Sequence, residues 1–170
     1  MTIDAIGCQK SIAGQIVDQG ADYVLAVKEN QPHVLADIKD SFRMLAADSD
    51  VEEIDCGRGR VERRDCSVLG NLSLLDEPRR WASLQGLVRI EADRYHKATG
   101  KGEREIRYYI TGLKPDAARL NSAIRQHWGI ENKLRRVLDV DIGEDLRRKR
   151  AGNAAQNYSN LTRIALNLLR

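Results

Sequence analysis

Glu131 is an acidic residue on the apolar side of a helical pattern in the stretch RQHWGIENKLRRVLDVDIGED. At about 100° per residue, Ile124 and Leu138 lie about 20° to either side of Glu131. His127, one turn earlier, shares this side at about −40°. Because an ionised carboxylate is costly to bury without a partner, the pattern allows two interpretations. Glu131 either forms an internal ion pair with His127 or Arg135, or it binds a metal ion at the edge of a cleft.

Asp4 is a second candidate metal ligand, because it directly follows the short strand-like stretch Thr2-Ile3. Ligands and active sites gather at strand ends in α/β sheets. An Asp at such a position also commonly caps a turn or the start of a helix. The sequence leaves both interpretations of Asp4 open, and carboxylate oxygens are ligands that hard divalent cations favour.

The elements that follow Asp4 are predicted to complete a β-α-β unit. Residues 9–19 have apolar side chains on one helical face and end at Gly20, which is typical of a helix and its stop. Residues 22–28, DYVLAVK, form a short apolar run typical of a buried strand. Such a unit implies a parallel strand pair with a right-handed crossover.

The rest of the chain is predicted to alternate between helical and antiparallel segments. Pro32 opens a helical pattern that extends to about residue 47, and residues 51–69 alternate around Gly57 and Gly59 as in a hairpin. A second hairpin is expected around the turn KATGKG. Pro115-Asp116 begins a helix that runs through Glu131, and a last helix is expected over residues 147–169.

Composition indicates one soluble α/β domain or a large piece of one. The chain has 170 residues, of which 42% are hydrophobic and 31% charged. Residues 125–170 hold ten Lys/Arg and five Asp/Glu, against 18 and 20 in residues 1–124. A basic C-terminal part favours a polyanionic partner, nucleic acid before membrane. The sequence shows no secretory signal or apolar membrane span, and its three cysteines have no C-x-x-C spacing, so we expect reduced thiols and a cytoplasmic location.

Four linked stretches resemble bacterial insertion-sequence transposases of the DDE superfamily, in the H-repeat-associated branch. In order along the chain they are TIDAIGCQKSIAGQIVDQGADYVLAVKENQP, GRGRVERR, IRQHWGIENKLRRVLDVDIGED and RAGNAAQNYSNLTRIALNLL. The resemblance covers nearly the whole chain. It implies a ribonuclease-H-like fold with an active site of two Asp and one Glu that binds two divalent ions.

The resemblance assigns roles to the residues singled out above. Asp4 matches the second Asp, and Glu131 matches the Glu on a helix that follows a β-rich insertion. Both are expected to bind Mg²⁺ or Mn²⁺. His127 stands where many relatives have Arg or His one turn before the Glu, so it would orient Glu131 or touch a phosphate. Glu131 is therefore expected to point inward because it faces Asp4.

The family's first Asp has no counterpart in this sequence, so the chain is expected to be the C-terminal half of a transposase. The predicted fold is a truncated ribonuclease-H-like α/β domain. It comprises a β-α-β core (residues 1–31), an inserted antiparallel β region (residues 51–113) and C-terminal helices that include the Glu-bearing one (residues 115–170). The two-metal site is expected only in the complete domain, and the fragment is expected to be inactive alone.

The predicted function is DNA transposition, with insertion-sequence ends and target DNA as partners. The chain is also expected to associate with copies of itself or with full-length transposase. The alternative is a non-catalytic remnant that binds DNA or full-length transposase as an inhibitor.

Several cations are candidate DNA contacts, and each has a structural alternative. The arginines of the first hairpin either bind phosphate or form a solvated charged hairpin. The cations after residue 146 either bind phosphate at a helix start or only confer solubility. Lys28, with Asn30 and Gln31, either approaches DNA or closes the loop after the second strand. A further acidic cluster is expected to pair with the last helix. The hairpin and C-terminal cations are Arg58, Arg60, Arg63, Arg64, Arg147, Arg148, Lys149 and Arg150, and the acidic cluster is Asp139, Asp141, Glu144 and Asp145.

Overall fold

A computed structural model describes residues 1–57, 59–136, 153 and 157, with side chains for residues 1–57, 59–129, 153 and 157. Residues Met1–Arg125 form one compact unit and Gln126–Arg170 a second. The predicted last helix and the acidic cluster around residues 139–145 lie outside the described residues.

The predicted β-α-β unit is confirmed, with shorter elements than the pattern indicated. Strand β1 (Thr2–Ile3) pairs in parallel with β2 (Val24–Val27), and helix α1 (Lys10–Asp18) connects them. Gly20 follows the helix with a φ of 73°, a left-handed conformation that glycine adopts without strain and that ends helices. Helix α2 (Pro32–Met44) ends three residues earlier than predicted, because Leu45 is already extended.

Both predicted hairpins are present and belong to the same sheet as the β-α-β unit. The first consists of β3 (Ser49–Gly57) and β4 (Arg60–Leu69), and the second of β5 (Gly86–His96) and β6 (Lys101–Thr111). The six strands run in the order β1-β2-β6-β5-β4-β3, and β6 pairs antiparallel with β2. The antiparallel strands therefore extend the core sheet and do not form a separate layer.

Apolar residues on both sides of this sheet are buried. On one side, Leu25, Leu69, Leu87 and Ile110 occupy paired positions and share a core with Ile38 of α2. The opposite side presents Val68, Val88 and Tyr109, because successive strand residues point to opposite faces.

Helix α3 (Ala117–Arg136) begins where Pro115-Asp116 predicted, and the Asp116 carboxylate accepts a hydrogen bond from the Arg119 amide at 3.0 Å. Its buried side chains include Leu120 and Ile124. Asn121 of this helix hydrogen-bonds Arg64, which shares the sheet face of Val68, so the first half of α3 covers that face. Two 3-10 turns, Ala5–Gly7 and Pro78–Arg80, complete the elements and were not predicted.

Candidate functional site

Asp4 lies at the end of β1 and caps the 3-10 turn that follows. Its Oδ1 accepts a hydrogen bond from the Ala5 amide at 2.7 Å, which confirms the turn-capping interpretation of this residue. Lys28 Nζ lies 3.5 Å from Asp4 Oδ1, and the two side chains are 54% and 42% exposed. They meet because β1 and β2 are parallel neighbours, so both strands end at the same edge of the sheet. Asp4 is thus an accessible carboxylate beside the Lys28 ammonium group.

The loop after β2 stabilises the loop that contains Asp4, residues 4–8, which we call the Asp4 loop. Asn30 Nδ2 donates to the Ala5 carbonyl at 2.6 Å, and Gln31 Nε2 donates to the Cys8 carbonyl at 2.9 Å. Both bonds are partly buried. Of the two interpretations left open for this stretch, loop closure is what Asn30 and Gln31 perform, while Lys28 faces Asp4.

Gly7 allows the Asp4 loop to turn tightly against β1. A Cβ at Gly7 would lie 2.3 Å from Ile3 Cγ2, so no larger residue fits there without movement of the backbone. Inside the same turn, the Gly7 amide donates to the Asp4 carbonyl at 2.9 Å. The neighbouring Ile6 side chain is 86% exposed. The loop is therefore closely packed on the strand side and open towards solvent.

The donor chemistry of the Asp4 loop fits one ligand of a divalent cation. Asp4 offers hard oxygen donors and is accessible, as a Mg²⁺ or Mn²⁺ ligand must be. The described residues contain no group of three or more His, Cys, Asp and Glu placed to hold a metal. Asp4 would thus need partners from outside the described side chains, of which Glu131 is the predicted one.

The backbone places Glu131 within α3, as predicted, but its side chain lies outside the described ones. His127, four residues earlier, packs edge-on against Trp128, with ring centroids 5.9 Å apart and an interplanar angle of 80°. The meeting of Glu131 with Asp4 and the role of His127 stay predictions.

The hairpin arginines do not share one environment, because successive residues of β4 point to opposite faces. Arg63 is on an open face, where it pairs with Glu52 at 2.9 Å and Asp65 at 3.2 Å. Arg60 is exposed and lies 3.8 Å from Glu62. Arg58 and the C-terminal cations of residues 147–150 lie outside the described residues.

Arg64 is buried, so the expectation that all the hairpin arginines are candidate DNA contacts is wrong for this residue. It is only 8% exposed, and its Nε donates to Asn121 Oδ1 at 2.8 Å. Burial lowers the pKa of the Arg64 guanidinium, because desolvation disfavours the charged form. Arg64 is a buried contact to α3 and is not available to DNA phosphate.

Arg125 is a second contact between α3 and the sheet that the sequence did not reveal. Its two terminal nitrogens bind Glu53 Oε2 at 2.8 Å and Asp55 Oδ2 at 2.7 Å. The hydrogen bonds that Arg125 donates to these carboxylates, to Glu53 first, raise its pKa. The alternating acids in SDVEEIDCG indicated an acidic strand face but not its partner.

The cysteines are free thiols, as expected. Cys8 and Cys66 are buried, and desolvation raises the pKa of each thiol to about 12, which suppresses the reactive thiolate. Cys56 is exposed. Trp81 is a core residue, at 3% exposure.

Comparisons with known proteins agree with the sequence motifs. The family described as "Transposase DDE domain" matches residues 2–168. "Putative transposase YncI" of Escherichia coli O157:H7 is 40% identical over 179 residues, which cover 100% of this chain and 45% of the relative. "H repeat-associated putative transposase YhhI" of Escherichia coli K12 is 36% identical over 178 residues, which cover 99% of this chain and 47% of the relative.

The chain spans about half the length of these curated relatives. No solved structure matches it. Within the described residues, no helix is long and apolar enough to cross a membrane.

Proposed function

Because this chain belongs to the family of transposase DDE domains, we propose that it provides two of the three acids of a divalent-metal-dependent DNA transposase. Asp4 and Glu131 are those acids, and DNA at insertion-sequence ends is the substrate. The observation that supports this most is the position of Asp4. It is a partly exposed carboxylate at the end of β1, in a loop that two side chains of the neighbouring loop stabilise.

Stable placement of Asp4 matters for this chemistry. Two divalent cations held by such acids would activate a water or 3′-hydroxyl and stabilise the leaving oxygen of an in-line phosphodiester displacement. A rigid loop fixes the carboxylate before substrate binds, so no free energy is lost in ordering it later. Asn30 and Gln31 provide that rigidity through the Ala5 and Cys8 carbonyls.

In the proposed active site, Lys28 balances negative charge. Its ammonium group balances the Asp4 carboxylate at 3.5 Å. It also lies at the sheet edge where a DNA phosphate would approach Asp4, and Lys binds phosphate as a point charge. His127 would orient Glu131 from one turn earlier on α3.

The proposal is tested by nicking of insertion-sequence-end DNA in the presence of Mg²⁺ or Mn²⁺. The chain is assayed alone and after fusion to the N-terminal part of a relative that it resembles. We expect little nicking from the chain alone, and metal-dependent nicking from the fusion that is lost in Asp4→Asn and in Glu131→Gln. Asp116→Asn, the same change at the start of α3, should leave nicking intact. Nicking that persists in Asp4→Asn or Glu131→Gln removes that residue from the site.

A second candidate function is inhibition. In this alternative the chain binds DNA or full-length transposase without catalysis and inhibits by forming mixed complexes. Adding the chain to a full-length relative should then lower its nicking rate in proportion to the chain added. An unchanged rate at excess chain would exclude this alternative.

A further inference from the structure

The tips of the two hairpins lie side by side at one end of the sheet. The first tip is the connection between β3 and β4 at Gly59, and the second is the turn at residues 97–100. Strand pairing places Arg60 opposite His96, and the Lys97 amide donates to the Gly59 carbonyl at 2.9 Å. Gly59 and Gly100 have φ values of 76° and 66°, which side chains rarely adopt, so both turns depend on glycine. The two tips are thus one continuous surface, which we call the paired tips.

The paired tips are basic and contain no acid. Residues 57–61 and 96–102 read GRGRV and HKATGKG, with four Lys/Arg and no Asp or Glu. Lys97 and Lys101 are exposed. Within the described part of the chain, neither lysine forms an ion pair, and Arg60 reaches a carboxylate only at 3.8 Å.

In the same sheet away from the tips, arginine side chains form ion pairs with neighbouring carboxylates, which neutralise their charge. Arg104 pairs with Glu91 and Asp93, and Arg94 lies 3.4 Å from Glu62. Among the described cations of this sheet, the accessible ones without a carboxylate partner, Lys97 and Lys101, are therefore at the paired tips. The sequence motif GRGRVERR pointed to the first tip only, and the second tip joins it through strand pairing.

We propose that the paired tips bind the phosphate backbone of duplex DNA, with Lys97 and Lys101 as contacts beside Arg60. This inference rests on the proposed function for its partner. Cations without carboxylate partners can release counterions from DNA, which is the main source of sequence-independent affinity. Glycine at both tips allows the protein backbone to approach a phosphate closely.

DNA suits this surface better than a membrane does. Interfacial membrane binding needs large apolar or aromatic side chains beside the cations. Residues 57–61 and 96–102 contain no Leu, Ile, Met, Phe, Tyr or Trp. Tyr95, directly before the second tip, is 50% exposed, but one aromatic ring does not form the apolar face that such binding needs.

The experiment measures binding of a fluorescent duplex to the whole chain as the salt concentration is varied. Each lost phosphate contact lowers the slope of log K against log salt by about 0.9. We expect Lys97→Gln/Lys101→Gln to reduce the slope by about 2 and to weaken binding several-fold at low salt. Arg43→Gln/Arg104→Gln is the matched control, since it removes the same charge from exposed arginines that pair with carboxylates. The control should keep the wild-type slope.

Three outcomes would overturn the inference. They are an unchanged slope in the lysine variant, an equal loss in the arginine control, and tip-dependent binding to phosphatidylserine vesicles without binding to duplex. Circular dichroism of each variant establishes that the sheet is folded. Failure here is distinguishable from failure of the proposed function, because the Asp4 and Glu131 variants test nicking independently of the paired tips.

Discussion

Lys28 Nζ lies 3.5 Å from Asp4 Oδ1, so a cation from the end of β2 balances the carboxylate at the end of β1. The same carboxylate oxygen accepts the Ala5 amide hydrogen bond. Asp4 therefore has a structural role that is independent of any metal, and experiments must separate the two roles.

Substitution of Asp4 by Asn or by Ala separates capping from ligation. Asn retains an acceptor for the Ala5 amide, whereas Ala loses it, so Asp4→Ala should lower the free energy of unfolding by about 1 kcal/mol more than Asp4→Asn. Both should weaken Mn²⁺ binding to the chain fused to the N-terminal part of a relative, where the metal site is expected to be complete, because neither carries a carboxylate. Thermal unfolding and Mn²⁺ titration by electron paramagnetic resonance measure the two effects. Equal Mn²⁺ affinity in Asp4→Asn and wild type would argue against Asp4 as a ligand.

Asn30→Ala should loosen the Asp4 loop without unfolding the chain. The Ala5 carbonyl loses its donor at 2.6 Å, and an unsatisfied partly buried carbonyl costs about 1–3 kcal/mol. Amide exchange should accelerate at Gly7 and Cys8, which donate within this turn. The control is Asn71→Ala, which removes the cap of Ser73 in an exposed loop. Unchanged exchange at residues 7 and 8 would contradict the stabilising role of Asn30.

Arg64 and Asn121 should show strong energetic coupling. Asn121→Leu leaves a buried guanidinium without its acceptor and should cost about 2–3 kcal/mol. Arg64→Met leaves the Asn121 oxygen unpaired and should cost about 1–3 kcal/mol. The double variant should cost less than the sum, because no buried polar group then lacks a partner. Urea unfolding of the wild type, the two single variants and the double variant measures the coupling. If the losses of unfolding free energy are strictly additive, the hydrogen bond contributes little.

Glu105 should stabilise the sheet near neutral pH and lose this contribution at acid pH. A hydrogen bond from Arg107 lowers the pKa of Glu105 from its ordinary 4.5, so the folded state holds the charged form more strongly than the unfolded state does. That contribution is complete above pH 4.5 and is lost as the pH falls through the lowered pKa. Glu105→Gln should therefore reduce the difference in melting temperature between pH 6 and acid pH. Glu103→Gln, on the same strand, is the control, since Glu103 forms no ion pair with a described residue.

Local patterns predicted most of the elements. The apolar spacing of residues 9–19, the apolar run before Lys28 and the glycine-containing turns each fix a conformation within a few neighbouring residues. Element ends were less predictable. Leu45 fits the apolar pattern of α2 but is extended, because the chain there leaves the helix to enter β3.

The sequence by itself determined the acid at the end of a short strand, the Glu-bearing helix, the two hairpins and the family. Each of these depends on residue types and short spacings along one segment. Only the tertiary structure decided which arginines are accessible, since Arg63 and Arg64 differ only in the face that α3 covers. It also decided that Asn30 supports Ala5, 25 residues away, and that Lys97 lies beside Gly59. Such relations depend on strand order and register, which bring together residues that no local pattern connects.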